Sequence, residues 1–168
     1  MRIKGELTFP GDKSISHRAL MFAGLAEGES RISNLSTGVD VQSTRKCLEA
    51  CGIKISNDRN DVIVKGRKFS DPTEPLDCGN SGTTTRLLLG LLAGQGINAT
   101  FVGDSSLSAR PMNRILEPLS QMGLKCESHD GKLPITIHKS DLNGIQYESP
   151  VASAQIKSAI LLAGLGAS

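Results

Sequence analysis

Three stretches of the chain share one polar-to-apolar profile. SISHRALMFAGLAEG (Ser14–Gly28), SGTTTRLLLGLLAGQG (Ser81–Gly96) and SAQIKSAILLAGLGA (Ser153–Ala167) each open on small polar residues, pass a basic residue, and run through Leu and Ala to a glycine. The basic residues are Arg18, Arg86 and Lys157, spaced 68 and then 71 residues apart. Each stretch is predicted to be a helix. The opening Ser or Thr can accept otherwise unpaired backbone N–H groups, and the closing Gly suits a left-handed C-cap. The apolar run is wide enough to be buried over most of its circumference.

A second pair of segments recurs at the same period. DVQSTRKCLEACGIKI (Asp40–Ile55) resembles PMNRILEPLSQMGLKC (Pro111–Cys126), with Gly52 and Gly123 in register. Pro111 is predicted in the first turn of its helix, where a missing N–H costs nothing. Short strands are predicted at Arg31–Leu35 and Ala99–Val102, and again at Asp61–Lys65 and Leu133–His138, the last with period-two alternation. The repeating unit is therefore β-α-β-α-β-β, about 70 residues long. Unit one runs from about Leu7 to Gly66 and unit two from about Leu76 to Lys139. Unit three starts with a strand near Ile145–Glu148 and a helix from Ser153, after which the pattern breaks off. The expectation is a fragment, or a chain whose remaining unit another polypeptide supplies.

Composition narrows the class. Hydrophobic residues make up 38% and charged residues 21%, as in a soluble globular domain. With 3% aromatic residues and no Trp, the core must be aliphatic, and a base-stacking nucleic-acid platform is not expected. A net charge of +2 argues against binding nucleic acid or a membrane surface through an overall field. The start, MRIKGELTFPG, has no apolar run of the kind a secretory leader needs, and Ala159–Leu165 is far too short to span a bilayer. Cys47, Cys51, Cys78 and Cys126 form no CxxC pair and have no His at metal-ligand spacing, so free thiols in a reducing cytoplasm are expected, and no zinc site.

Four segments carry candidate chemistry. In PGDKSISHR (Pro10–Arg18), a Gly-containing turn enters a helix whose unpaired N–H groups and dipole favour an anion. Lys13 adds a point charge, Ser14 a hydroxyl, and Arg18 lies one helical turn after Ser14. The spacing is not that of a Walker A loop. In LDCGNSGTTTR (Leu76–Arg86), Gly79 and Gly82 allow close backbone approach to a ligand. In GDSSLSARPMNR (Gly103–Arg114), Arg110 can fork onto a carboxylate or phosphate, or pair with Asp104 on the surface. In SPVASAQIKS (Ser149–Ser158), Ser153 and Gln155 can hydrogen-bond a hydroxylated ligand. Each segment alone is equally an ordinary capped helix start. A repeating scaffold can aim several at one place. The histidines make a poor case: His17 follows a helix start, and His129 and His138 fall in or near strands without an evident partner.

PGDKSISHRALMFAGLAEG, LDCGNSGTTTRLLLGLLAG, GDSSLSARPMNRILEPLSQMG and SAQIKSAILLAGL together closely resemble the EPSP synthase family, across essentially the whole chain. The resemblance implies an α/β (α+β) fold of repeated βαβαββ units, the inside-out α/β barrel of enolpyruvyl transferases, with the third unit incomplete here. Residues 1–10 would be a strand belonging to or linking with another domain, and 11–168 an incomplete shikimate-3-phosphate-binding domain. The implied reaction moves the enolpyruvyl group of phosphoenolpyruvate to the 5-hydroxyl of shikimate 3-phosphate, releasing phosphate, in the cytoplasm and with no metal or organic cofactor. Carried over by residue, Lys13 would contact both substrates. Ser14, Arg18, Ser153, Ala154 and Gln155 would hold shikimate 3-phosphate, with Ala154 contributing only backbone because many relatives carry a second Ser there. Gly82, Arg110 and Gln155 would hold phosphoenolpyruvate. The acid and base residues are expected beyond Ser168, so a complementary C-terminal part is the expected partner, and the chain alone should be inactive. Gly82 keeps the small residue of the herbicide-sensitive site, so glyphosate is expected to inhibit the assembled enzyme. The sister enzyme acting on UDP-N-acetylglucosamine shares the architecture, but its N-terminal motif differs from GDKSISHR. A non-catalytic half that only binds shikimate 3-phosphate is the other alternative.

Overall fold

The computed structural model describes residues 4–168. Its elements follow the predicted repeat. Unit one contains α1 (Lys13–Leu25), β1 (Gly28–Ser33), α2 (Val39–Ala50), β2 (Lys54–Asp58) and β3 (Asp61–Gly66). Unit two contains β4 (Leu76–Asp77), α3 (Gly82–Gly94), β5 (Ala99–Val102), the single turn α4 (Ser105–Ser108), α5 (Asn113–Gln121), β6 (Lys125–His129) and β7 (Lys132–His138). Helix α6 (Ala154–Gly164) follows.

The two sheets share one connection scheme. Unit one orders its strands β1-β3-β2, all antiparallel; unit two orders them β4-β5-β7-β6, with β4 parallel to β5 and the rest antiparallel. The special backbone positions repeat as well. Gly52 (φ 90°) and Gly123 (φ 107°) end α2 and α5 in the left-handed region, and Arg59 (φ 55°) and Asp130 (φ 51°) make the hairpin turns of β2–β3 and β6–β7. At both helix ends the chain closes in the same way: Ile53 N–H donates to Leu48 O, and Leu124 N–H donates to Leu119 O.

Several expectations are corrected. No strand is formed by residues 4–10; Leu7 and Phe9 are exposed, and the segment is fastened by Asn34 Nδ2 donating to Phe9 O rather than by a ladder. Met1–Ile3 of that predicted strand lie outside the described residues. The strand predicted at Ile145–Glu148 does not form: its burial alternates, with Ile145 and Tyr147 half-buried against the core, but it has no partner strand among the described residues. Helix α1 is capped by Asp12, whose carboxylate accepts Ile15 N–H at 2.7 Å, so Ser14 sits inside the first turn. Gly28 opens β1 instead of capping α1. Pro111 precedes α5, because Met112 N–H is spent on Gly131 O at 2.7 Å and Met112 itself begins the turn. His138 does have a partner: its Nε2 lies 3.0 Å from Glu127 Oε1 across β6–β7.

The three related helices differ in how far they are enclosed. In α3, Leu87, Leu88, Leu89, Leu91 and Leu92 are all fully buried, as its sequence predicts. In α1 and α6, Phe22, Leu161 and Leu165 remain more than half exposed, because packed neighbours cover only one side of each helix. Helices α3 and α6 approach backbone to backbone. A Cβ on Gly90 would stand 2.1 Å from Ala159 O, and one on Gly94 2.6 Å from Ala163 O. The four cysteines are free, with Cys47, Cys51 and Cys78 buried. Among the described residues no helix is long and apolar enough to cross a membrane.

Candidate functional site

The site grows from helix openings. Ser81 caps α3, its hydroxyl accepting Thr84 N–H at 3.1 Å, and Ser153 caps α6 by accepting from Ile156 N–H at 3.4 Å. Both helices therefore start in one direction from a polar residue, and their close glycine contact holds the two starts side by side. Gln155 bridges them. Arg86 Nη1 donates to Gln155 Oε1 at 3.1 Å, and Gln155 Nε2 donates to Thr83 Oγ1 at 3.0 Å. These two bonds fix which way the amide faces and leave its second N–H available to a ligand.

Arg110 arrives from the turn between α4 and α5. Its guanidinium bonds to the Asn80 side-chain oxygen and to Ser106 Oγ at 3.2 Å. Asn80 in turn donates to Asp104 at 2.7 Å, so Arg110 does not pair with Asp104 directly. Asp104 caps α4 through Leu107 N–H; that bond first, then Asn80 and Arg110, holds its carboxyl below the ordinary range.

Arg86, Arg110 and Arg114 meet around a cavity of about 350 Å³, which Ser153, Gln155, Met112 and Ile156 help to line. No carboxylate lines it. Burial, followed by the nearby charges of Arg110 and Arg114, lowers the pKa of Arg86. Three guanidiniums on one apolar-floored hollow can together attract and hold an anion. Gly82 belongs to the same place: a Cβ there would stand 2.5 Å from Arg86 Nη1 and 3.6 Å from Arg110 Nη1. The absent side chain lets both cations crowd the start of α3.

The remaining predicted residues sit around this cavity's margins or apart from it. Ser153 and Ala154 also line an open groove with Lys157 and Ser158. Arg18 lines the apolar groove between α1 and α6, donating to Ser158 Oγ at 2.7 Å and to Ser14 O at 3.0 Å. Lys13 meets Asp40 of α2 at 3.1 Å. Thus Arg110, Ser153 and Gln155 share one cavity with Gly82 at its rim, while Lys13, Ser14 and Arg18 do not line it. Arg86 and Arg114 were not singled out from sequence as ligand residues. A signal existed for both: Arg86 holds the register of Arg18 in the repeat, and Arg114 follows Arg110 by four residues.

A family model for EPSP synthase (3-phosphoshikimate 1-carboxyvinyltransferase) matches residues 1–168. The chain belongs to the EPSP synthase family. It is 49% identical over 170 residues to the 3-phosphoshikimate 1-carboxyvinyltransferase of Bacillus licheniformis, covering 98% of this chain and 40% of that protein. It is 52% identical over 171 residues to that of Desulfitobacterium hafniense DCB-2, covering 99% of this chain and 39% of the relative. The solved EPSP synthase of Acinetobacter baumannii superposes with a TM-score of 0.92 at 42% identity, over 97% of this chain and 38% of that one. The chain thus spans about 40% of the length of these relatives, and the family and α/β architecture read from its motifs hold.

Proposed function

We propose that the chain supplies part of the substrate site for transfer of the enolpyruvyl group of phosphoenolpyruvate to the 5-hydroxyl of shikimate 3-phosphate, with release of phosphate, in the cytoplasmic route to aromatic amino acids. The observation that carries this reading is the convergence of Arg86, Arg110 and Arg114 on a hollow with no lining carboxylate. In this reading Arg110, the open backbone at Gly82 and the free N–H of Gln155 take phosphoenolpyruvate. Ser14, Arg18, Ser153, the backbone of Ala154 and Gln155 take shikimate 3-phosphate, and Lys13 serves both. Residues 11–168 form the incomplete domain for the sugar phosphate, and residues 1–10 connect it to the rest of the enzyme.

The chemistry is an addition followed by an elimination. A base takes the hydroxyl proton, an acid protonates the methylene carbon, and cations stabilise the phosphate that leaves. The cations are here. The carboxylates nearest the helix starts are already engaged, Asp40 with Lys13 and Asp104 with Asn80, so proton transfer falls to groups contributed by a complementary C-terminal part. No metal or cofactor step is needed in this scheme. Phosphate release should be undetectable with this chain alone and should appear when the complementary part is added. Turnover by the isolated chain would refute the division of labour. Calorimetric titration of the chain with each substrate separately tests the binding half of the reading. Glyphosate should compete with phosphoenolpyruvate in the assembled enzyme, since Gly82 leaves Arg86 and Arg110 unobstructed; an unaffected rate would contradict that.

A further inference from the structure

Beneath the openings of α1, α2 and α3 lies a polar cluster for which ligand contact gives no reason. His17, Thr44 and Thr84 have no solvent exposure, in a core that is mostly apolar. His17 Nδ1 lies 2.7 Å from Thr44 Oγ1, which lies 2.8 Å from Thr84 Oγ1. Thr84 Oγ1 is 2.7 Å from Ser81 Oγ and 3.1 Å from the carbonyl oxygen of Asp40. Buried groups of this kind are costly wherever a partner is missing.

The protons in the cluster can be assigned from its far end. Thr84 donates its single hydroxyl proton toward the Asp40 carbonyl and Ser81 Oγ, which share it. With that proton spent, Thr84 accepts from Thr44. With its own proton spent on Thr84, Thr44 accepts from His17, which places the imidazole proton on Nδ1. Nε2 becomes a bare lone pair, and it is the buried side-chain atom that lacks a partner among the described residues. The opposite tautomer would bury an unpaired N–H instead.

These bonds close a ring. From His17 on α1 the path runs to Thr44 on α2, Thr84 on α3, the backbone of Asp40 on α2, the Asp40 carboxylate, and Lys13 back on α1. Lys13 and His17 are one helical turn apart, and Thr84 is two residues past Gly82. Ser16 adds a second tie, its hydroxyl accepting Ser36 N–H at 3.0 Å.

We propose that His17 is a positioning residue: through Thr44 and Thr84 its Nδ1–H fixes the start of α1, with Lys13, against the start of α3, with Gly82, and so sets the geometry in which the anionic ligand is held. The inference rests on the anion-binding reading above. It adds that a group distant from the ligand governs affinity through one directed donor chain.

The test is calorimetric titration of the 168-residue chain with phosphoenolpyruvate, alongside thermal melting and backbone amide shifts, in four variants. His17→Leu and Thr84→Val should each weaken binding about tenfold. His17→Asn, whose amide N–H can reach Thr44, should recover to within about threefold of the parent. Thr136→Val removes the unrelated Thr100–Thr136 pair at 3.0 Å and should lower the melting temperature without changing affinity. Equal affinity in His17→Leu and the parent, or a His17→Asn variant as weak as His17→Leu, would overturn the proposal. If His17→Leu does not fold, Thr84→Ser against Thr84→Val decides, since only Ser keeps the hydroxyl. The amide shifts of Lys13 and Gly82 need no ligand. If the parent binds no phosphoenolpyruvate but these shifts move in His17→Leu and return in His17→Asn, the ligand assignment is wrong and the positioning chain stands. If they do not move, the chain is refuted whatever the ligand.

Discussion

Units one and two share a connection scheme, left-handed glycines and hairpin turns, yet unit one answers a cation at its first helix start with a carboxylate and unit two does not. At the start of α1, Lys13 is answered by the carboxylate of Asp40, and Arg18 is taken up by Ser14 O and Ser158. Around the start of α3 in unit two, Arg86 and Arg110 have only neutral partners among the described residues, Gln155, Asn80 and Ser106. The scaffold sets where a cation stands, and the presence or absence of a counter-ion decides whether its field is open to a ligand. The helices diverge too. Gly90 of α3 meets the backbone of α6, whereas Phe22, which holds the same place in α1, faces an open groove.

The sharpest way to break this comparison is Gly90→Ala. The added methyl would meet a backbone carbonyl that cannot rotate away, so unfolding free energy should fall by about 3 kcal/mol, while Phe22→Ala should cost under about 1 kcal/mol. Denaturant melts of both variants read the difference directly, and equal losses would mean the two helices are enclosed alike. Next is Arg110→Ala, which should weaken phosphoenolpyruvate binding about thirtyfold or more by removing a charge-assisted contact. Titration of the variant checks it, and an unchanged affinity would remove Arg110 from the site.

Acid separates the units by a different route. Burial, opposed by Asp40 and reinforced by Lys13 and Arg18, pushes the pKa of His17 down to about 4. Its place in unit two is held by Thr85, which donates to Ser81 O at 3.0 Å and does not titrate. Between pH 6.5 and 4 the unfolded chain binds a proton at His17 that the folded chain refuses. Stability therefore falls as pH drops through that window, by on the order of 2 kcal/mol after allowing for residual solvent screening. Melts of His17→Asn should lose that part of the slope. The smallest expected effect is Asp40→Asn, which uncovers Lys13 and should tighten anion binding at unit one by about threefold. A weaker affinity would mean that the carboxylate is needed to hold Lys13 in place.

Much of this was legible in the chain. The aliphatic runs and the repeat period gave the helices, because α3 is buried all round and its sequence says so. Ala99–Val102 was bounded correctly by its β-branched and aromatic residues. The two strands that did not form, at residues 4–10 and 145–148, have suitable alternation, but a strand also needs an edge to pair with, and periodicity does not report a partner. The start of α1 was misread because Ser14 and Asp12 can both cap, and only backbone geometry chooses between them. Motif likeness implies Arg110, Ser153 and Gln155 as ligand residues, and the structure brings these three to one cavity. The place of Arg86 and Arg114 is not legible in the same way, because it depends on two helices and a turn from distant sequence meeting around one hollow. From sequence His17 shows only that it follows a helix start, since its partners lie 27 and more residues away.

The crossing of α3 over α6 is made by glycine and by main-chain carbonyls. Such a joint has no rotamers to exchange, so heating cannot loosen it by degrees in the way that it loosens interlocked leucines. The separation of Thr83 from Gln155, and with it the width of the arginine-lined hollow, should stay nearly constant with temperature until the helices part altogether. The dimensions of the hollow are thereby kept by covalent geometry, and a neighbouring leucine can be changed without retuning them.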